Sequence, residues 1–289
     1  MPSPQGWVPI LPSTSPNSLS RYSPLSFAMT GWNSRRLIFY LARRKIETRY
    51  RGSIFGILWA LLEPLAMLTI YTFVFSFVFR ARWGGLPPGV HGEFAIFLFS
   101  GLTIYAVFSE SVNESPSSIL ESTAYVKQLI FPTEVLAWVL VLAGLFRFSI
   151  NSVLLVAFYR LTMGNLPVSA AFMPLVLLPV VLLALGVTWL LSSLGVFLRD
   201  VGQFVGLATT GLLFLSPIFY PASAIPERFQ SIYFLNPFAG VLEMSKRSLF
   251  EGQPPDPLEL GVLVAVGWAV AWAGHSWFQL TKSSFADVL

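Results

Sequence analysis

Hydrophobic and polar positions in this chain change over long stretches, without the two-residue alternation of a half-buried strand. The first long apolar run, 54–79, carries a single charge, Glu63. At about 1.5 Å per helical residue it outreaches a hydrocarbon core of roughly 30 Å, so it predicts a membrane span. Comparable runs predict further spans over 94–112, 135–159, 172–198, 201–220 and 258–280. The expected fold class is therefore an all-α polytopic membrane protein with six transmembrane helices.

The stretches between the spans have their own signatures. Residues 32–50 place Leu37, Ile38, Phe39, Leu41, Ala42 and Ile46 on one broad helical arc and Arg36, Arg43, Arg44 and Glu47 on the other, which predicts an N-terminal interfacial helix capped by Asn33 or Ser34. Residues 117–129 are too polar to span and too apolar for a loose loop, so a short amphipathic helix ended by Pro132 is expected there. Arg199 and Asp200 mark a tight turn. From Pro221 to Pro257, short apolar runs open at Pro226 and Pro237, and each Pro suits the first turn of a helix because its missing N–H would be unpaired there anyway. Runs this short are expected to be re-entrant or interfacial helices on the outer side. Residues 1–31, rich in Ser and Pro as far as Pro24, are expected to form a disordered cytoplasmic tail with no cleavable signal.

Composition agrees with a membrane protein: 55% of residues are hydrophobic and 11% charged, against about 25% charged in an ordinary soluble domain. The absence of Cys excludes disulfides, a thiolate nucleophile and a Cys-ligated metal, and His91 and His275 are too far apart to suggest a metal cluster. The net charge of +4 does not point to nucleic acid, because Arg35, Arg36, Arg43, Arg44, Lys45, Arg49 and Arg51 all lie beside the first span. Basic residues in that position hold the flanking segment in the cytoplasm, and the six-span path leaves most of the 18 Lys and Arg residues there, with both termini inside.

Glu63, Glu110, Glu114 and Arg147 are the charged groups at or near membrane depth. Leaving Arg147 in lipid would cost about 2.5 kcal/mol or more, so it is expected to face the bundle, a pore or a partner subunit. Catalysis would need a nucleophile or base beside these groups, and no His, Cys or HExxH is near, which argues against an enzyme. An ion-coupled secondary transporter remains a rival, because carboxylates within spans can relay protons. No GxxxxGK[ST] phosphate loop is present, so ATP-driven transport would need hydrolysis on another chain. Trp59, Tyr71, Phe75, Phe79, Phe214, Phe219 and Tyr220 lie in or at the ends of the first and fifth spans. Such rings suit either a sliding sugar chain or ordinary contact with lipid and its interfaces.

Several segments occur in an order that resembles a known family: RYRGSIFGILWALLEP (49–64), FLFSGLTIYAVFSES (97–111), AYVKQLIFPTEVL (124–136), LRDVGQFVG (198–206) and SPIFYPASAIPERFQSIYFLNPFAGVLE (216–243). Over roughly residues 32–280 the chain resembles the type-2 ABC exporter permeases that move polysaccharides such as O-antigen, capsule or teichoic acid chains. The resemblance implies a homodimer with two copies of a separate ATPase subunit, which would hold the ATP and Mg; no cofactor is implied for this chain. It implies a lipid-linked glycan substrate, residence in the cytoplasmic (inner) membrane, and a channel between two permease copies. Tyr125, Val126, Lys127, Phe131, Glu134, Arg199 and Asp200 would couple to the ATPase. Trp59, Glu63, Tyr71, Phe75, Phe79, Phe214, Phe219 and Tyr220 would line the channel or the dimer seam, and Pro221, Pro226, Asn236 and Pro237 would belong to an outer gate. The family often has Pro-Trp where Ile104 and Tyr105 stand and basic residues at the positions of Gln128 and Thr133. A small-molecule or drug exporter of the same architecture is the nearer alternative.

Overall fold

The structure is a computed structural model, and it describes residues 23–78, 93–122, 131–220, 225–226, 228, 230, 233 and 236–285. Among the described residues the chain is helical and has no strand. Two short helices, α1 (Ser26–Asn33) and α2 (Arg35–Tyr50), precede a composite first span. That span opens with a 3-10 turn at Gly56–Leu58, continues as α3 (Trp59–Tyr71) and ends in a π-helical segment, Thr72–Val78. The remaining helices are α4 (Glu93–Glu121), α5 (Val135–Thr162), α6 (Met173–Phe197), α7 (Val201–Leu215), α8 (Pro237–Phe250) and α9 (Pro257–Thr281).

Five stretches are long and apolar enough to cross a membrane: Gly56–Phe75, Phe94–Glu121, Val135–Thr162, Val168–Phe197 and Pro257–Ser284. Helices α4 and α6 form the centre and α3 is the least buried. Because lipid tails are as apolar as Leu, such helices associate through close packing and interhelical hydrogen bonds. Both devices are present. At the α6/α9 crossing a Cβ on Gly186 would collide with the Val270 carbonyl, and one on Gly274 with the Gly186 carbonyl. Ser118 and Ser192 share a hydrogen bond of 3.0 Å between α4 and α6, and Ser193 and Thr281 one of 2.7 Å between α6 and α9.

Three boundaries differ from the sequence expectation. Residues 26–31 are not a disordered tail: they belong to α1, whose Phe27 is 1% exposed and packs against Trp189, Trp268 and His275. Ser26 Oγ shares a 3.3 Å hydrogen bond with His275 Nδ1. A buried aromatic thus orders a segment that directly follows a Ser- and Pro-rich stretch.

The second span does not stop near 112. Helix α4 runs on through Pro116 to Glu121 and absorbs the start of the helix expected at 117–129; residues 123–130 lie outside the described ones. Pro116 cannot donate to the carbonyl four residues back, at Val112, and Ser115 Oγ donates to that oxygen at 2.7 Å, so the helix survives its proline.

The fifth predicted span, 201–220, is helical only over Val201–Leu215, about 22 Å long. Its end is fixed from afar, since Asn236 Nδ2 donates to the Leu215 carbonyl at 3.2 Å and to Ser216 Oγ at 3.0 Å. At the N-terminus of α2, Ser34 occupies the cap position but its side chain makes no capping bond.

Candidate functional site

Helical periodicity builds a polar face inside the bundle. Along α4, Phe99, Leu102, Thr103, Ala106, Ser109, Glu110 and Asn113 recur every three or four residues, which aligns them on one side of the helix. Arg147 and Asn151 do the same on α5, Ala60, Glu63, Pro64, Met67 and Tyr71 on α3, and Thr209, Thr210 and Leu213 on α7. Together with Arg49 and Tyr50 of α2 they line an open-sided chamber of about 360 Å³.

Arg147 forms an ion pair with Glu110, and the two side chains are 16% and 32% exposed. Pairing answers the cost of a cation at this depth. Thr209 Oγ1 donates to Asn113 Oδ1 at 2.9 Å, and the Tyr105 hydroxyl donates to the Thr209 carbonyl, so α7 is tied to α4 across the chamber. A second recess of about 290 Å³ adjoins the first through shared Arg49, Tyr50 and Arg147. There Glu114 accepts Lys45 at 2.7 Å and Arg49 at 3.2 Å, which fastens α2 to α4.

The predicted site residues fall into separate groups. Glu63 and Tyr71 line the chamber, whereas Trp59 is not among the lining residues and is exposed, with an edge contact to Phe55. Phe75 packs on Phe94 with ring centroids 5.0 Å apart. Phe214 stacks on Phe219 at 5.4 Å, and the Tyr220 hydroxyl donates to the Phe214 carbonyl at 2.9 Å. Arg199 and Asp200 are exposed in the short turn between α6 and α7. Phe131 is half-buried before α5. Glu134 bonds within the chain: Lys282 Nζ reaches its carboxylate at 2.6 Å, and Trp189 Nε1 donates to its carbonyl at 3.0 Å. Pro226 is exposed, while Asn236 caps α8 by accepting from Phe238 N at 3.0 Å, with Pro237 at the first helical position. Tyr125, Val126, Lys127, Phe79 and Pro221 lie outside the described residues.

Sequence reasoning did not select Thr103, Asn113, Asn151 or Thr209. The signal was available in α4, where polar residues at 103, 109, 110 and 113 keep the helical interval within an otherwise apolar stretch.

Comparison with known proteins gives a consistent picture. The chain is 29% identical over 256 residues to the O-antigen export system permease protein RfbA of Myxococcus xanthus, covering 88% of this chain and 95% of the relative. It is 27% identical, with the same coverage, to the RfbA permease of Klebsiella pneumoniae. To the polysialic acid transport protein KpsM of Escherichia coli it is 25% identical, over 83% of this chain and 92% of the relative. The model of the ABC-2 type transporter family matches residues 36–250. With five apolar helices of spanning length, this chain is a multi-pass membrane protein that belongs to the ABC-2 type transporter family.

Proposed function

We propose that this chain is the permease subunit of an ATP-driven exporter that carries a lipid-linked polysaccharide, O-antigen being the foremost case, across the cytoplasmic membrane. The observation that carries this reading is similarity over nearly the whole chain to O-antigen export permeases. The sequence has no phosphate loop, so two copies of a separate ATPase subunit would bind ATP and Mg and supply the work.

In this reading two copies of the chain form a channel along α3 and α7. Support comes from α3, the π-helical segment that continues it, and α7, which expose Glu63, Phe73, Phe77, Phe204, Leu207 and Phe214 on the single chain. Gly202, Gly206 and Thr210 of α7 also follow the small-residue spacing that lets membrane helices approach closely. The chain crosses the membrane six times, α7 with the turn after it making the fifth passage, and both termini are cytoplasmic. Helix α2, basic and half apolar, lies on the cytoplasmic leaflet against membrane lipids. The segment 117–129 docks on the ATPase, and the segment from Pro221 through α8 forms the outer gate. Glu134 acts by anchoring this docking segment to Lys282 and the end of α9.

The test is a deletion of the gene, complemented by wild-type protein or by Lys127→Glu. Wild type restores surface polysaccharide, seen by immunoblot, whereas the variant inserts normally and restores little. Full surface polysaccharide in the deletion strain would refute the reading.

A further inference from the structure

The chamber among α3, α4, α5 and α7 lies within one protomer, and its lining is balanced in charge: Arg49 and Arg147 against Glu63 and Glu110. A site for a phosphate or another anion concentrates positive charge, and this one does not. Its polar groups are instead amides, hydroxyls and paired ions set among rings: Asn113, Asn151, Thr103 and Thr209 beside Tyr71 and Phe99. Three buried polar atoms among the lining residues have no hydrogen-bond partner: Glu110 Oε2, which the ion pair with Arg147 answers, Thr103 Oγ1, on a residue only 3% exposed, and Arg147 Nε. Buried polar groups are paired in the great majority of cases, so orphans at a cavity wall call for a ligand or water that bonds to them. The volume equals about a dozen waters at roughly 30 Å³ each, enough for one pyranose ring with its hydroxyls and a few waters.

We propose that this chamber is a sugar-binding recess that takes one neutral pyranose residue of the exported chain. The proposal rests on the polysaccharide reading above. The ring lies against Tyr71 and Phe99. Its hydroxyls accept from Arg147 Nε, exchange hydrogen bonds with Thr103 Oγ1 and the Asn151 amide, and donate to the Glu63 carboxylate. Each bond would satisfy a group that the protein alone leaves open or turns toward the cavity. The recess is thus a side pocket of each protomer, with the exposed Glu63 of α3 at its rim, where a sugar can pause.

The chain has no Cys, so Ala106→Cys places a single thiol in the chamber wall. The full-length variant in lipid nanodiscs is labelled with neutral methyl methanethiosulfonate, alone or with the methyl glycosides of glucose, galactose, mannose, rhamnose and N-acetylglucosamine, or with inorganic pyrophosphate. At least one glycoside should slow labelling by about threefold at twice its Kd, because protection follows 1 + [L]/Kd. Pyrophosphate should not. Adding Thr103→Val keeps the shape of the side chain and should leave the unprotected rate unchanged while abolishing protection. Protection by pyrophosphate alone, or by none of the probes, overturns the proposal, as does protection that survives Thr103→Val. The two readings fail separately. Surface polysaccharide restored equally by wild type and Thr103→Val, with no protection, removes the recess and leaves the exporter. Protection by a glycoside in a protein that restores no polysaccharide removes the exporter and leaves the recess.

Discussion

Removing Glu110 and removing Arg147 should not be equivalent, although each destroys the same ion pair. In Glu110→Gln the guanidinium stays at membrane depth without its counter-ion, and it cannot shed its proton. In Arg147→Met the remaining carboxyl can take up a proton and become neutral. Breaking a fully buried pair by removing one partner costs about 3–5 kcal/mol. Because Glu110 is 32% exposed toward the chamber, water retains part of the screening, so about 2–3 kcal/mol is expected for Glu110→Gln. Arg147→Met should cost about 1 kcal/mol, the scale of interhelical hydrogen bonds measured in membranes. The double variant, with no orphaned charge, should resemble Arg147→Met, leaving a coupling of about 2–3 kcal/mol. Equilibrium unfolding of the full chain in mixed micelles with rising SDS, followed by far-UV circular dichroism, measures all four corners of the cycle. Equal single effects that add within about 0.5 kcal/mol would refute the reasoning, because independent sites behave that way.

Other positions give independent checks. Phe27→Ala should lower stability by about 3 kcal/mol or more through the cavity left among Trp189, Trp268 and His275, and limited proteolysis should then cut within residues 1–33. Gly186→Leu should prevent accumulation of folded protein, since even a Cβ meets the Val270 carbonyl, whereas Gly211→Ala, with open space around it, should be neutral or slightly stabilising by the same unfolding assay. Lys282→Glu should destabilise the chain through repulsion with Glu134, and the exchanged pair Glu134→Lys with Lys282→Glu should recover most of the loss. Asp256 caps α9 by accepting from Leu258 N at 2.8 Å and Glu259 N at 3.0 Å, bonds that hold its carboxyl below the usual aspartate range. Its stabilisation is therefore present at neutral pH and lost as pH falls through that lowered value. Asp256→Asn should keep the cap and remove this acid-side dependence in a pH series of thermal unfolding.

The spans over 135–159, 172–198 and 258–280 could be read from sequence to within a few residues of α5, α6 and α9, because bilayer thickness imposes a length that composition reveals directly. Pro237 marked the start of α8 for an equally local reason, its missing N–H. What escaped the sequence depends on distant partners. Phe27 is ordered by two tryptophans and a histidine more than 150 residues away in the chain. The break expected after 112 vanished because Ser115 serves the carbonyl that Pro116 abandons. Arg147 had to face something other than lipid, but nothing local could select Glu110, and nothing local links Glu134 to Lys282. The chamber was half legible: its stripe on α4 is periodic, while the approach of α3, α5 and α7 comes only from packing.

The central claim is that this chain conducts and another chain drives. Proteoliposomes made with the permease alone, and with the permease plus its ATPase, are to be loaded with lipid-linked polysaccharide and assayed for transfer across the bilayer. The account predicts transfer only when both chains and ATP are present. Transfer by the permease alone under an ion gradient would contradict it.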